Sequence, residues 1–138
     1  MGRLLLALLV GVIVNGVLVA GVQMLSGVVH PMPPGLDASD MNQMRDYIAS
    51  GTVPITAMVM VLVSYVAGAF GGGFVATKLA PNRGLMPALV IGQISLVFII
   101  INLVQIPHPI WMMVASVVVP LPSAWYGGKT AHARGGMK

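Results

Sequence analysis

Cysteine is absent from this 138-residue chain, which excludes disulfides, thiolate metal centres and thiol redox chemistry, and with them membrane thiol oxidoreductases of the quinone-linked kind. Charge is scarce as well. Only 7% of residues are Asp, Glu, Lys or Arg, against about 25% in a soluble domain, too little polar surface to coat a water-soluble globule. The three acidic residues, Asp37, Asp40 and Asp46, fall in one stretch, so no apolar segment holds a carboxylate. Coupled transport generally needs a titratable group at membrane depth, and this lack argues against pumps and antiporters. Nucleophile–base pairs are missing too: Ser64, Ser95, Ser116 and Ser123 have no histidine at their expected depth, so no enzyme activity is expected. The basic residues are sparse and lie between apolar runs, so the pI near 10.0 is a topology signal and predicts no nucleic-acid partner.

What the chain has is hydrophobic length. It is 57% hydrophobic, with mean hydropathy +0.94. The pattern predicts an all-α integral membrane protein, a four-transmembrane-helix bundle forming one domain over residues 1–138. A hydrocarbon core of about 30 Å takes roughly 20 helical residues. Residues 4–29 exceed that, and they also exceed a signal-peptide core of about 7–15 residues, so an uncleaved first span is expected. The other spans fall at 52–79, 85–104 and 110–128, with a polar, Gly-rich, frayed tail over 129–138. Trp111 and the Trp125-Tyr126 pair mark interfaces, and Pro120 and Pro122 should kink the fourth span.

Residues 30–51 are the one long polar interruption. Pro31, Pro33 and Pro34 end the first helix in an extended turn. Asp37 is the expected N-cap of a short helix, with Asp40 in its first turn. Met41, Met44 and Ile48 then recur at i, i+3 and i+7, predicting an amphipathic helix of about three turns on the membrane surface, closed by Gly51.

An even number of spans puts both termini on one side. Arg3, Lys78, Arg83, Lys129, Arg134 and Lys138 fall on that side; Arg45 and all three aspartates fall on the other. This bias predicts both termini in the cytoplasm and the 30–51 loop outside. It also argues against a dual-topology dimer, as found in some small four-helix exporters and fluoride channels.

Small residues allow close helix approach in lipid. Gly11 and Gly16 on the first span, with Gly21 and Gly27, and Gly68, Gly71 and Gly72 on the second are the expected packing positions, either a crossing within the fold or a contact between chains. Asn15, Gln23, Gln93 and Asn102 are read as interhelical hydrogen-bonding groups, or alternatively as the lining of a pore. His30 and His108, each before a proline on the predicted outer side, could meet in space. With Asp37 or Asp40 they would offer nitrogen and oxygen ligands; with Met24, Met32, Met41, Met44, Met112 and Met113 they would suit Cu(I). The competing reading is that each histidine bonds loop groups while the methionines fill space. Asp37, Asp40, Arg45 and Tyr47 form either a partner-docking surface or a plain solvated helix face.

The segments His-Pro-Met-Pro-Pro-Gly-Leu-Asp (30–37), Met-Arg-Asp-Tyr-Ile-Ala (44–49), Gly-Ala-Phe-Gly-Gly-Gly-Phe-Val-Ala (68–76) and Ile-Pro-His-Pro-Ile-Trp (106–111) resemble an uncharacterised family of small bacterial four-helix inner-membrane proteins. In these a Pro-Pro-Gly-Leu-Asp loop follows helix one and a Pro-His-Pro-x-Trp turn precedes helix four. The likeness covers about residues 29–127. It implies a multi-pass protein of the bacterial inner membrane and carries no reaction or ligand. The resulting expectation is a structural or accessory membrane protein with no cofactor. Its partners would be lipid and either copies of itself or subunits of a larger complex. A homo-oligomeric passive pore is the alternative, and outer-face copper binding the third.

Overall fold

A computed structural model describes residues 1–135. Its elements are helices α1 (Gly2–Val29), α2 (Met41–Ala49), α3 (Ile55–Leu79), α4 (Met86–Gln105), α5 (Ile110–Val118) and α6 (Pro120–Gly135), with a 3-10 turn at Pro81–Arg83 between α3 and α4. Four stretches are long and apolar enough to cross a membrane: α1, α3, α4, and α5 with α6 together. At about 1.5 Å per residue, the 28 residues of α1 reach about 42 Å, more than the hydrocarbon core requires.

The bundle is built around α3, which packs on α1 along one side and on α6 along the other. Small residues make both contacts. A Cβ on Gly72 would stand 2.7 Å from the Gly11 carbonyl oxygen, and one on Gly11 would stand 2.9 Å from the Ala76 Cβ. On the α6 side, a Cβ on Gly73 would stand 2.6 Å from the Ala124 carbonyl oxygen. Backbones this close leave no space for water or lipid. Ala7, Gly11 and Asn15, spaced by four, form the buried stripe of α1, while Leu5, Leu9, Ile13 and Val17 are exposed, as lipid-facing positions are.

Of the five fully buried alanines, Ala7, Ala76 and Ala88 lie toward the end where Arg3 Nε donates to the Leu79 carbonyl at 3.1 Å, with Ala69 and Ala124 deeper in the bundle. Arg83 lies at this same end, so it is basic, and a cleft of about 580 Å³ lined by Phe74, Thr77, Lys78, His132 and Arg134 opens there between α3 and α6. At the other end, α1 and α4 touch only lightly, and the bundle opens there.

Two sequence expectations change and a third is met. The helix after the proline loop is capped by Asp40, whose Oδ1 accepts from the backbone N–H of Asn42 at 3.0 Å and of Gln43 at 3.4 Å. Asp37 instead closes the preceding turn, accepting from Ser39 N–H at 2.8 Å. The fourth span, Ile110–Gly135, has the expected proline weakening: its hydrogen-bond ladder thins at Val119, between α5 and α6, while Val119 itself stays right-handed helical and bonds to the Ala115 carbonyl at 3.0 Å. Pro120 has no N–H for the Ser116 carbonyl, and helix α6 restarts with proline at its first position, where its fixed φ fits. Finally, residues 129–135 are helical and not a frayed tail. Gly127 and Gly128 seat α6 against Phe70, Ala88 and Thr77, and that packing outweighs their poor helix propensity. Residue Lys138 of the topology argument lies outside the described residues.

Candidate functional site: two clefts at the open end

The end opposite the basic cluster carries a cleft of about 550 Å³ between α1, α2, α3 and the start of α5. His30 enters it because Pro31 ends α1: the residue before a proline is pushed out of the helical region, and His30 sits at φ −124°, ψ 75° as the C-cap. The following Pro33-Pro34-Gly35-Leu36 turn closes with Leu36 N–H donating to the Pro33 carbonyl at 3.2 Å. Gly35 takes φ +87° there, the position in a proline-initiated turn that calls for glycine. The chain thus doubles back, and α2 is laid over the bundle end, where Arg45 Nε donates to the Gln105 carbonyl.

The structure brings His30 and His108 onto walls of this one cleft. His30 Nε2 and Thr56 Oγ1, in the first turn of α3, are hydrogen bonded at 2.7 Å. His30 Nδ1 is buried and has no partner. His108 Nδ1 lies 2.7 Å from the Ile106 carbonyl oxygen; a carbonyl can only accept, so Nδ1 carries the proton and, in the neutral ring, Nε2 holds the free lone pair. Met32, Met44 and Met112 line the cleft, whereas Met24, Met41 and Met113 are exposed and line no part of it. Met58 of α3 also lines it. The sequence reading missed Met58; the signal for it was Pro54, which marks the start of α3 at this same end.

Asp37 and Asp40 do not reach the cleft. Asp40 Oδ2 also accepts from Gln43 Nε2 at 3.1 Å, and Gln43 Oε1 accepts from Asp37 N–H at 2.9 Å, so both acids are tied to their own loop. No group of three or more His, Cys, Asp or Glu side chains is gathered for a metal among the described residues. A nitrogen-and-oxygen site built from His30, His108 and either aspartate is therefore not formed. Tyr47, half-buried, lines the cleft, while Arg45 is exposed beside it.

A second cleft, about 460 Å³, runs down the lipid-facing side between α1 and α4. Asn15, Gln23, Tyr65, Ser95 and Asn102 are in its walls. Gln23 also borders the first cleft, so the two clefts adjoin. Asn15 Nδ2 donates to Ser95 Oγ at 2.6 Å, and Ser95 Oγ directs its own proton to the Ile91 carbonyl at 2.8 Å. Gln93 is on the outer surface of α4 and takes no part. Gly16 is also exposed, and a Cβ there would meet nothing within 4 Å; it lines this cleft and makes no close helix contact, because α1 and α4 diverge there. Gly11, Gly68, Gly71 and Gly72 are by contrast used up inside the chain: Gly68 meets Asn15 and Val19, and Gly71 meets Leu18. Gly11, Gly68 and Gly72 are buried, and Gly71 is half-buried.

The Ser64, Ser95 and Ser123 hydroxyls are directed at their own helices, while that of Ser116 is buried with no partner. Ser64 donates to the Val61 carbonyl at 2.6 Å and Ser123 to the Val119 carbonyl at 2.7 Å. Comparison with family models, curated proteins and solved structures gives no match.

Proposed function

We propose that this is a non-enzymatic accessory protein of the bacterial inner membrane that associates, within the membrane, with copies of itself or with subunits of a larger complex. The single observation that supports this most is the α1–α4 cleft. Asn15 and Ser95 in its wall are bonded to each other and Gln23 reaches Ser64 only at 3.4 Å, which leaves the Gln23 and Asn102 amides with hydrogen-bonding capacity in a cleft where acyl chains offer none. Such groups in membrane helices are ordinarily satisfied by a neighbouring helix. Since the Gly68 and Gly72 face is consumed within the fold, the cleft is the association surface in this reading. We place the basic end in the cytoplasm, by the excess of Lys and Arg, and α2 outside as a surface helix with Met44, Tyr47 and Ile48 turned toward the bundle.

The absence of cysteine makes the test clean. A single cysteine introduced as G16C, beside the cleft, is expected to form a defined cross-linked species in native membranes, identified by mass. L9C, on a lipid-facing part of α1, is expected to form none. Equal behaviour of the two variants would remove the reading.

A passive pore is favoured by one observation, the adjacency of two partly polar clefts that Gln23 borders on both sides. Within one chain the α1–α4 cleft ends where Gly11, Ala76 and Ile91 close together. A pore would therefore need several chains, and reconstituted vesicles would show solute flux that a bulky side chain at Gly16 blocks.

A further inference from the structure

We propose that the cleft shared by His30 and His108 is a binding site for one monovalent copper ion, held by His30 Nδ1, His108 Nε2 and methionine thioethers.

Three observations converge. In His108 the Nδ1 proton is fixed by the Ile106 carbonyl at 2.7 Å, which leaves Nε2 as the lone-pair nitrogen. This is the arrangement metal-ligating histidines usually have, one ring nitrogen oriented by a carbonyl and the other on the metal. His30 offers the opposite nitrogen when its Nε2–H donates to the Thr56 hydroxyl, a group that can also donate. Its Nε2 is engaged by Thr56 at 2.7 Å, and its Nδ1 is the buried nitrogen with no partner. A buried polar atom left without a hydrogen bond is costly, and a metal ion removes that cost. Both rings wall one cleft with Met32, Met44, Met58 and Met112, which arrive from the proline loop, α2, α3 and α5.

The donor set selects the ion. Neither imidazole has a carboxylate beside it in the cleft wall, and no cluster of three His, Asp or Glu side chains exists among the described residues. Calcium and magnesium need oxygen ligands, and zinc prefers four nitrogen, thiolate or carboxylate donors. Imidazole with thioether is a soft, neutral donor set, and it suits Cu(I). A single positive charge also costs less to place among apolar walls than a double one. The long, flexible methionine chains allow sulfur to reach the ion without moving the helices. Thr56 acts as a positioning residue, holding the His30 ring by its other nitrogen.

The test uses the full chain in detergent or nanodiscs, titrated with Cu(I) under reductant against a chromophoric Cu(I) chelator. One Cu(I) per chain is expected, with both imidazole nitrogen and thioether sulfur scatterers in the X-ray absorption spectrum. His30→Gln and His108→Asn should each weaken binding by more than about 100-fold, beyond the range typical for loss of a supporting hydrogen bond, while Thr56→Val should cost about 10-fold. Met86→Leu, at the far end of α4, should change nothing. The proposal is overturned if the wild-type protein yields Cu(I) fully to the chelator, if sulfur is missing from its spectrum, or if the His30→Gln/His108→Asn double variant binds as before. The spectrum of the wild-type protein decides the matter even if the variants fail to fold. Cross-linking through G16C is independent of copper, so this proposal and the accessory reading stand or fall separately.

Discussion

Asn15 of α1 and Ser95 of α4, eighty residues apart in sequence, are joined by a 2.6 Å hydrogen bond. It lies in the wall of the lipid-side cleft, where α1 and α4 otherwise touch only lightly. The Asn15 amide is additionally lodged against Gly68 of α3, so one side chain ties three helices.

A double-mutant cycle with Asn15→Ala and Ser95→Ala should therefore yield a coupling of about 0.6–1.7 kcal/mol, the range measured for hydrogen bonds between membrane helices. Reversible unfolding in mixed micelles reads it. A coupling near zero would mean that the two groups are satisfied separately.

Glycines in different surroundings should respond in opposite ways. Gly72→Ala puts a methyl group 2.7 Å from the Gly11 carbonyl oxygen, a backbone atom that cannot step aside, and should destabilise by about 1–3 kcal/mol, as overpacking does. Gly16→Ala meets nothing within 4 Å and, by exchanging glycine for the best helix former, should be neutral or stabilising by up to about 1 kcal/mol. The same unfolding assay compares them, and equal losses would contradict the packing described.

Asp40→Ala should cost the helix α2 about 1 kcal/mol through its lost cap, while Asp37→Ala, which removes only the turn contact to Ser39, should cost less. Amide hydrogen exchange at Asn42 and Gln43 gives the measure. Faster exchange in the Asp37 variant than in the Asp40 variant would reverse the assignment of the cap.

Topology has a direct check, again because the chain lacks cysteine. S39C should react with an impermeant maleimide added to intact spheroplasts, and N82C only after the membrane is opened. The opposite pattern would invert the orientation we propose.

The four long apolar helices were legible in the sequence because span length is dictated by bilayer thickness and each run met it unaided. The helix after the proline loop was legible too, but its start was not. Asp37 and Asp40 are chemically identical cap candidates three residues apart, and only the turn at Pro33–Leu36 decides that the first closes a loop and the second caps the helix. The reach of α6 to Gly135 was hidden because Gly127 and Gly128 weaken local helix propensity, whereas their value lies in contact with α3 and α4. That His30 and His108 wall one cleft was foreshadowed by chain order, since helix one ends where helix four begins. Which nitrogen of each ring stays free was not, because that depends on the Thr56 hydroxyl and the Ile106 carbonyl, one of them 26 residues away from its histidine.

The interruption at Val119 gives the fourth span a joint. Below it, α6 is clamped along α3 and α4; above it, α5 is held by few neighbours. At the joint itself the Ser116 carbonyl finds no donor on Pro120, and the Ser116 hydroxyl is fully buried without a partner, so the helix there has one backbone hydrogen bond fewer than its neighbours. Because α5 carries Met112 and closely follows His108, a small tilt at Val119 is levered into a larger displacement at the cleft mouth. A change of angle at that one short segment would alter the width of the cleft and, with it, the spacing of its two imidazoles.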